Sequence, residues 1–187
     1  SSSSRPSMTH IRTPLFGSGG YSSKLTNVAI HGNNVAIHGD TAVVTSLVDV
    51  HFFAFINDNF DLVTKIDIDY YGGNVAMNDN MVVIGSPYEN YDTGAIYMYE
   101  KDDNGIWKET MKIVPNDIQQ DTTYFGISVA IDGNVIVVGT LENGKNKEGS
   151  VYVYRQDKGN WVQEAKLTPF DGSKVKSFGT YVSVKND

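Results

Sequence analysis

One pattern recurs along the chain and limits what it can fold into. Residues 34–44 read NVAIHGDTAVV, 74–83 read NVAMNDNMVV and 128–138 read SVAIDGNVIVV, and a shorter copy, YVSV, occupies 181–184. The leading Val stands at 35, 75, 129 and 182, so the spacings are 40, 54 and 53 residues. Self-similarity at a period of this size means stacked supersecondary units, each too small to bury its own apolar face.

The third unit, Tyr124 to Leu167, divides most clearly. Its first apolar run, Ile127–Ile131, meets the turn Asp132-Gly133-Asn134, and Asp-Gly favours the positive φ of a tight hairpin. Val135–Gly139 follows, then a longer loop over 140–149, then Ser150–Tyr154, a second Asp and Gly turn over 157–160, and Trp161–Leu167. In SVYVY the two Tyr share one face and the two Val the other; AIYMY at 95–99 repeats that alternation, and FFAFI at 52–56 holds the same place in the first unit. Gly and Asp-Gly breakers interrupt any 3.6-residue stripe. The expected fold is all-β: a β-propeller of four-stranded antiparallel blades, with about three blades plus one strand in this chain. The expected boundaries are a Ser/Gly-rich tail over 1–24, then units over 25–69, 70–123, 124–177 and a partial unit over 178–187. NVAIHG occurs twice, at 27–32 and 34–39. The first copy is expected to be an additional strand or an extended lead-in.

These residues resemble the FG-GAP repeats of integrin α-subunit propellers and of many bacterial and algal surface proteins. Phe125-Gly126 and Phe178-Gly179 head two units, and Tyr71-Gly72 is a looser equivalent. IVVGT and VVIGSP stand where that family carries Gly-Ala-Pro, and only Pro87 keeps the Pro. The head Gly is expected to turn the chain into the innermost strand, and the Phe beside it to fill the wedge between units. The resemblance implies an extracellular or cell-surface protein that binds a protein or glycan partner through loops on one face. Integrin repeats often carry a calcium loop between first and second strands. Here those links are only His38-Gly39-Asp40, Asn78-Asp79-Asn80 and Asp132-Gly133-Asn134, too short to wrap six to eight oxygens around Ca²⁺. No cofactor is expected. The acidic turns Asn57-Asp58-Asn59 with Asp61, and Asp102-Asp103-Asn104, read as solvated turns, with a surface Ca²⁺ site as the alternative.

A propeller closes with typically four to eight blades. Three explanations fit the shortfall: a piece of a longer protein, a small ring closed by the N-terminal segment, or a ring completed by several chains through open strand edges.

Charge and composition narrow the function. A net charge of −7, with scattered Lys, gives no footprint for nucleic acid. The absence of Cys removes disulfides and thiolate chemistry. No stretch reaches the roughly 20 apolar residues of a membrane span. The N-terminal residues lack signal-peptide zones, so a secreted protein is expected to be a mature or excised form. His10, His31, His38 and His51 form no metal spacing, and no Ser/His/Asp set or phosphate-cradling Gly loop can be placed. The chain therefore reads as a non-catalytic binding or adhesion module. A structural subunit of a surface filament and the propeller of a carbohydrate-active enzyme are the alternatives. The links between second and third strands, together with 114–124 and 168–177, share one end of the units. The expected binding residues there are Tyr88, Glu89, Tyr91, Asp92, Tyr124, Glu142, Asn143 and Glu148.

Overall fold

The computed structural model describes residues 34–46, 49–57, 59–67, 73–117, 123–141, 148–170 and 178–185. The tail over 1–24 and the first NVAIHG copy lie outside the described residues.

Among the described residues, twelve strands form three four-stranded antiparallel sheets, each in simple sequence order. Sheet 1 contains β1 (Asn34–His38), β2 (Thr41–Thr45), β3 (Asp49–Ile56) and β4 (Asn59–Asp67). Sheet 2 contains β5 (Val75–Met77), β6 (Met81–Ser86), β7 (Ala95–Lys101) and β8 (Trp107–Ile113). Sheet 3 contains β9 (Ser128–Asp132), β10 (Val135–Thr140), β11 (Ser150–Asp157) and β12 (Asn160–Leu167). The first strands of successive sheets are neighbours, β1 beside β5 and β5 beside β9.

Every residue of β6 and of β10 is buried, which accounts for the unbroken apolar runs MVVIGS and VIVVGT. Strand alternation sends odd and even positions to different neighbours. Val82, Ile84, Tyr97 and Tyr99 pack toward sheet 1 with Val43, Val50 and Phe52, and Trp107 stacks on Phe52 at 5.1 Å. From the opposite face, Met81, Val83, Ile96 and Met98 pack against Ile136, Val138, Tyr152 and Tyr154 of sheet 3. Val135, Val137 and Val151 meet Phe178, Val182 and Val184. The fourth copy thus keeps its apolar face but forms no strand. Among the described residues it has no second strand to exchange ladder hydrogen bonds with.

The junctions are repeated in detail. Phe125 is fully buried in the wedge between sheets 2 and 3, edge-on to Tyr152 at 5.3 Å. The backbone of Phe125-Gly126 lies directly on Gly85 and Gly94 of the preceding unit. A Cβ on Gly85 would overlap the Gly126 carbonyl oxygen. Phe178-Gly179 lies in the same way on Gly139 and Gly149. Side chains at one repeat position reinforce each junction. Asn34 donates to the Gly73 carbonyl (3.0 Å), Asn74 to the Ile127 carbonyl (2.5 Å) and Ser128 to the Gly179 carbonyl (2.7 Å). At the hairpin end, His38 bonds Asp79 (2.7 Å) and Asn78 donates to the Gly133 carbonyl (3.2 Å).

Gly85 and Gly159 separate two costs of adding a methyl group. Gly159 sits at φ 84° with open space around it, so Gly159→Ala is expected to cost only the left-handed penalty, about 1 kcal/mol. Gly85→Ala must push two units apart and is expected to cost about 2–3 kcal/mol. Urea unfolding of both variants reads the difference, and equal losses would contradict the close approach.

Candidate functional site

The described parts of the links between second and third strands and of the links between units lie at one end of the sheets, opposite the short hairpin turns. At this end each sheet carries the same constellation, a ring, a lysine and a carboxylate. In sheet 2 the Tyr97 hydroxyl donates to Glu89 Oε2 at 2.8 Å, Lys112 Nζ bonds Glu89 Oε1, and Lys112 lies 5.1 Å from the Tyr97 ring centroid. In sheet 3 Tyr152 donates to Asp117 at 3.1 Å, Lys166 bonds Asp117 at 2.6 Å, and its Nζ lies 4.9 Å from the Tyr152 ring. In sheet 1 His51 takes the ring position, and Lys65 reaches Asp49 at 3.4 Å and Asp67 at 2.8 Å.

The backbone explains how these groups meet. Lys65, Lys112 and Lys166 each follow an aromatic residue (Phe60, Trp107, Trp161) by five positions. An odd offset would put ring and lysine on opposite faces of a regular strand. Each outer hairpin has a register shift at the same place: between Phe52 and Phe53, between Met98 and Tyr99, and between Val153 and Tyr154. The extra residues, Val63, Thr110 and Glu164, reverse the alternation. The lysine then lies beside its cross-strand partner, His51, Tyr97 or Tyr152. These lysines and bulges were missed by reading the sequence for loops, although the repeated aromatic-x₄-Lys spacing was there to be found.

The clusters hold loops. Glu89 ties the 87–93 link to its own sheet, and Asp117 ties the end of unit two to unit three. Burial pushes the Tyr97 hydroxyl up to about 12, and the Glu89 carboxylate beside it acts in the same sense. The Lys112 ammonium is raised as well: burial pulls it down, but its bonds to Glu89 and Tyr97 outweigh that. Desolvation raises the Tyr154 hydroxyl further still.

Five of the eight expected binding residues gather at the junction of units two and three. Glu89–Asp92 forms a single helical turn of the left-handed kind, with φ of 50°, 57° and 66° at Asn90, Tyr91 and Asp92. Non-glycine residues held there cost on the order of 1–3 kcal/mol each. The turn is fixed by the amides of Thr123 and Tyr124, which donate to the Asp92 carbonyl at 2.9 and 2.8 Å, and by the Gly94 amide on the Glu89 carbonyl. Tyr91 projects from it, 94% exposed. Tyr88 is half-exposed and meets Tyr124 edge-on at 5.8 Å. Glu148 belongs to the next junction, where its carbonyl accepts from the Phe178 amide at 3.2 Å. Glu142 and Asn143 lie outside the described residues.

The acidic turns are at the other end. Asp102 Oδ1 accepts from the amides of Asn104 and Ile106, and Oδ2 accepts from Lys108 at 2.7 Å. The Lys108 bond, followed by the Ile106 amide, holds this carboxyl below the usual range. Asp58 lies outside the described residues. Among the described residues, no three His, Asp or Glu converge in a way that could hold a metal ion, and no helix is long and apolar enough to cross a membrane.

Stacked four-stranded units joined by Phe-Gly heads define a repeat protein of the all-β class. The family profile of the FG-GAP repeat matches residues 107–154, about a quarter of the chain. That segment runs from β8 across the Phe125-Gly126 junction into β11, so the chain carries an FG-GAP repeat. No match was found among curated proteins. Among solved structures, the N-terminal domain of Nup159 is similar over 73% of this chain and 47% of that one, at 11% identity and a TM-score of 0.29. The chain thus spans about half the length of that structure, and so shallow a likeness carries no weight for fold or function.

The raised Tyr97 hydroxyl gives a pH signature. A group whose folded value lies above its unfolded value of 10.0 stabilises the fold fully below pH 10, and that contribution is lost as pH rises toward about 12. Absorbance titration at 295 nm is expected to show a tyrosine ionising near pH 12, absent in Tyr97→Phe. Stability of the wild type is expected to fall over pH 10–12 more steeply than that of Tyr97→Phe. Ionisation of every tyrosine by pH 11 would contradict the cluster.

Proposed function

We propose that the three sheets are consecutive blades of an FG-GAP-type β-propeller, and that the protein is a non-catalytic binding or adhesion module of the cell surface or extracellular space. The observation that carries this reading is the division of labour between the two ends. One end is closed by short hairpin turns whose polar groups bond to each other. The other presents a strained, exposed, tyrosine-bearing turn clamped between two units. Variable links on a rigid scaffold are where recognition commonly sits. The FG-GAP repeat at 107–154 supports the adhesion class and the surface location. The paired arrangement of the lysines and carboxylates at this end favours a supporting role over acid–base catalysis, because each lysine already neutralises a carboxylate.

Self-association through open strand edges has less support. The outer strands β4, β8 and β12 carry Lys65, Lys108, Lys112 and Lys166, and edge lysines discourage strand addition.

The test is a solid-phase assay of the purified chain on extracellular-matrix and cell-surface preparations. Replacing residues 87–93 by a Gly/Ser linker is expected to weaken binding by about tenfold or more. Asp103→Ala with Lys158→Ala, in the hairpin turns at the opposite end, is expected to leave it unchanged. Loss of binding in the hairpin-turn variant alone would refute the assignment of the face.

A further inference from the structure

We propose that Tyr88, Tyr91 and Tyr124 form a binding site for a neutral carbohydrate. The inference rests on the loop-face reading above and names its ligand. Glu89 is neutralised by Lys112, Asp117 by Lys166, and Asp49 and Asp67 share Lys65. Among the described residues, these lysines and carboxylates offset each other, and the carboxylate of Asp92, on the turn itself, is outside those pairs. An anionic ligand finds the nearby ammonium groups engaged, and the overall charge of −7 opposes it. A cationic peptide finds Glu89 and Asp117 already paired, which leaves it the single carboxylate of Asp92 on the turn.

What the junction offers instead is aromatic surface with neutral polar groups beside it. Tyr88 and Tyr124 stand at an interplanar angle of 77°, which makes a corner of one ring face and one ring edge. Tyr91 stands fully clear of the protein on the adjoining turn. Asn90, also exposed, can both donate and accept hydrogen bonds. A pyranose ring has the matching chemistry. Its C–H bonds line one flat face and lie well on the negative face of an aromatic ring, while its hydroxyls project around the edge toward amide and phenol groups. The turn that carries Tyr91 is fixed before any ligand arrives. Thr123 and Tyr124 bond the Asp92 carbonyl, so the strained turn does not need to be ordered on binding. The loop of unit three, LENGKNKEG, has no aromatic residue, so the site belongs to this one junction rather than to the repeat.

The test is titration of the full chain with a panel of neutral oligosaccharides (glucan, mannan, galactan and xylan fragments) and, separately, with an oligolysine peptide, followed by NMR of the tyrosine rings. At least one oligosaccharide is expected to shift the ring signals of Tyr91 and of Tyr88 or Tyr124. Tyr91→Ala is expected to weaken that binding by about tenfold with the same melting temperature, and Tyr91→Phe to retain most of it. No binding by any sugar at millimolar concentration, or binding that Tyr91→Ala leaves unchanged, would overturn the proposal. Ring shifts with oligolysine alone would also overturn it while leaving the loop face as the binding face. If Tyr91→Ala and the 87–93 replacement both leave matrix or cell-surface binding unchanged, the loop face falls as well.

Discussion

The structure depends on one close approach. The carbonyl of Gly126 lies against the Cα of Gly85, and that of Gly179 against Gly139, with no room for a side chain between them. This contact sets how near one unit comes to the next. Once the backbones meet there, Phe125 falls into the wedge between the sheets. Residues of both strand faces are covered, and the donor at position 34, 74 or 128 reaches the carbonyl of the following unit. Two of the three junctions use glycine. At the first, Thr45 replaces it, and its hydroxyl donates to the Gly73 carbonyl at 3.2 Å. There a hydrogen bond takes the place of direct backbone contact.

The same constraint separates the two kinds of residue that look alike in the sequence. Tyr97, Tyr99, Tyr152 and Tyr154 are striped through the third strands and buried between sheets. Tyr88, Tyr91 and Tyr124 lie off the strands, at the place where one unit is clamped on the next. The strain of the left-handed turn there is tolerated because the Phe-Gly head of unit three docks beside it. Scaffold and exposed turn are thus coupled: the hydrogen bonds that fix Tyr124 at the junction also fix the turn that displays Tyr91.

Much of the fold was legible because alternation and repetition are local signals. The Asp132-Gly133 hairpin, the Tyr/Val stripe of 151–154 and the Phe125 wedge were all readable from residue type and spacing. What the sequence did not reveal lies where strands depart from regularity. The bulges at Val63, Thr110 and Glu164 have no signature residue, so the lysines they redirect looked like scattered surface charge. Glu89 read as a residue of the binding face; that it also anchors its own loop was not legible, because its partners Tyr97 and Lys112 are brought in by cross-strand register rather than by proximity in sequence. The left-handed turn at 90–92 was hidden for a related reason: its Asn, Tyr and Asp would each suit an ordinary loop. YVSV at 181–184 kept the apolar face of a first strand without its ladder, since pattern specifies a face while pairing requires a neighbour.

Each Phe-Gly head docks onto the unit before it, through the amide of Phe125 on the Thr93 carbonyl (3.1 Å) and the amide of Phe178 on the Glu148 carbonyl (3.2 Å). Amide hydrogen exchange measured residue by residue tests this directly. Phe125 is expected to exchange as slowly as the central strands β6 and β10, with Phe178 also protected relative to open chain. Exchange of Phe125 at the rate of an unstructured loop, while β6 and β10 remain protected, would mean that the sheets form without docking and would contradict the account.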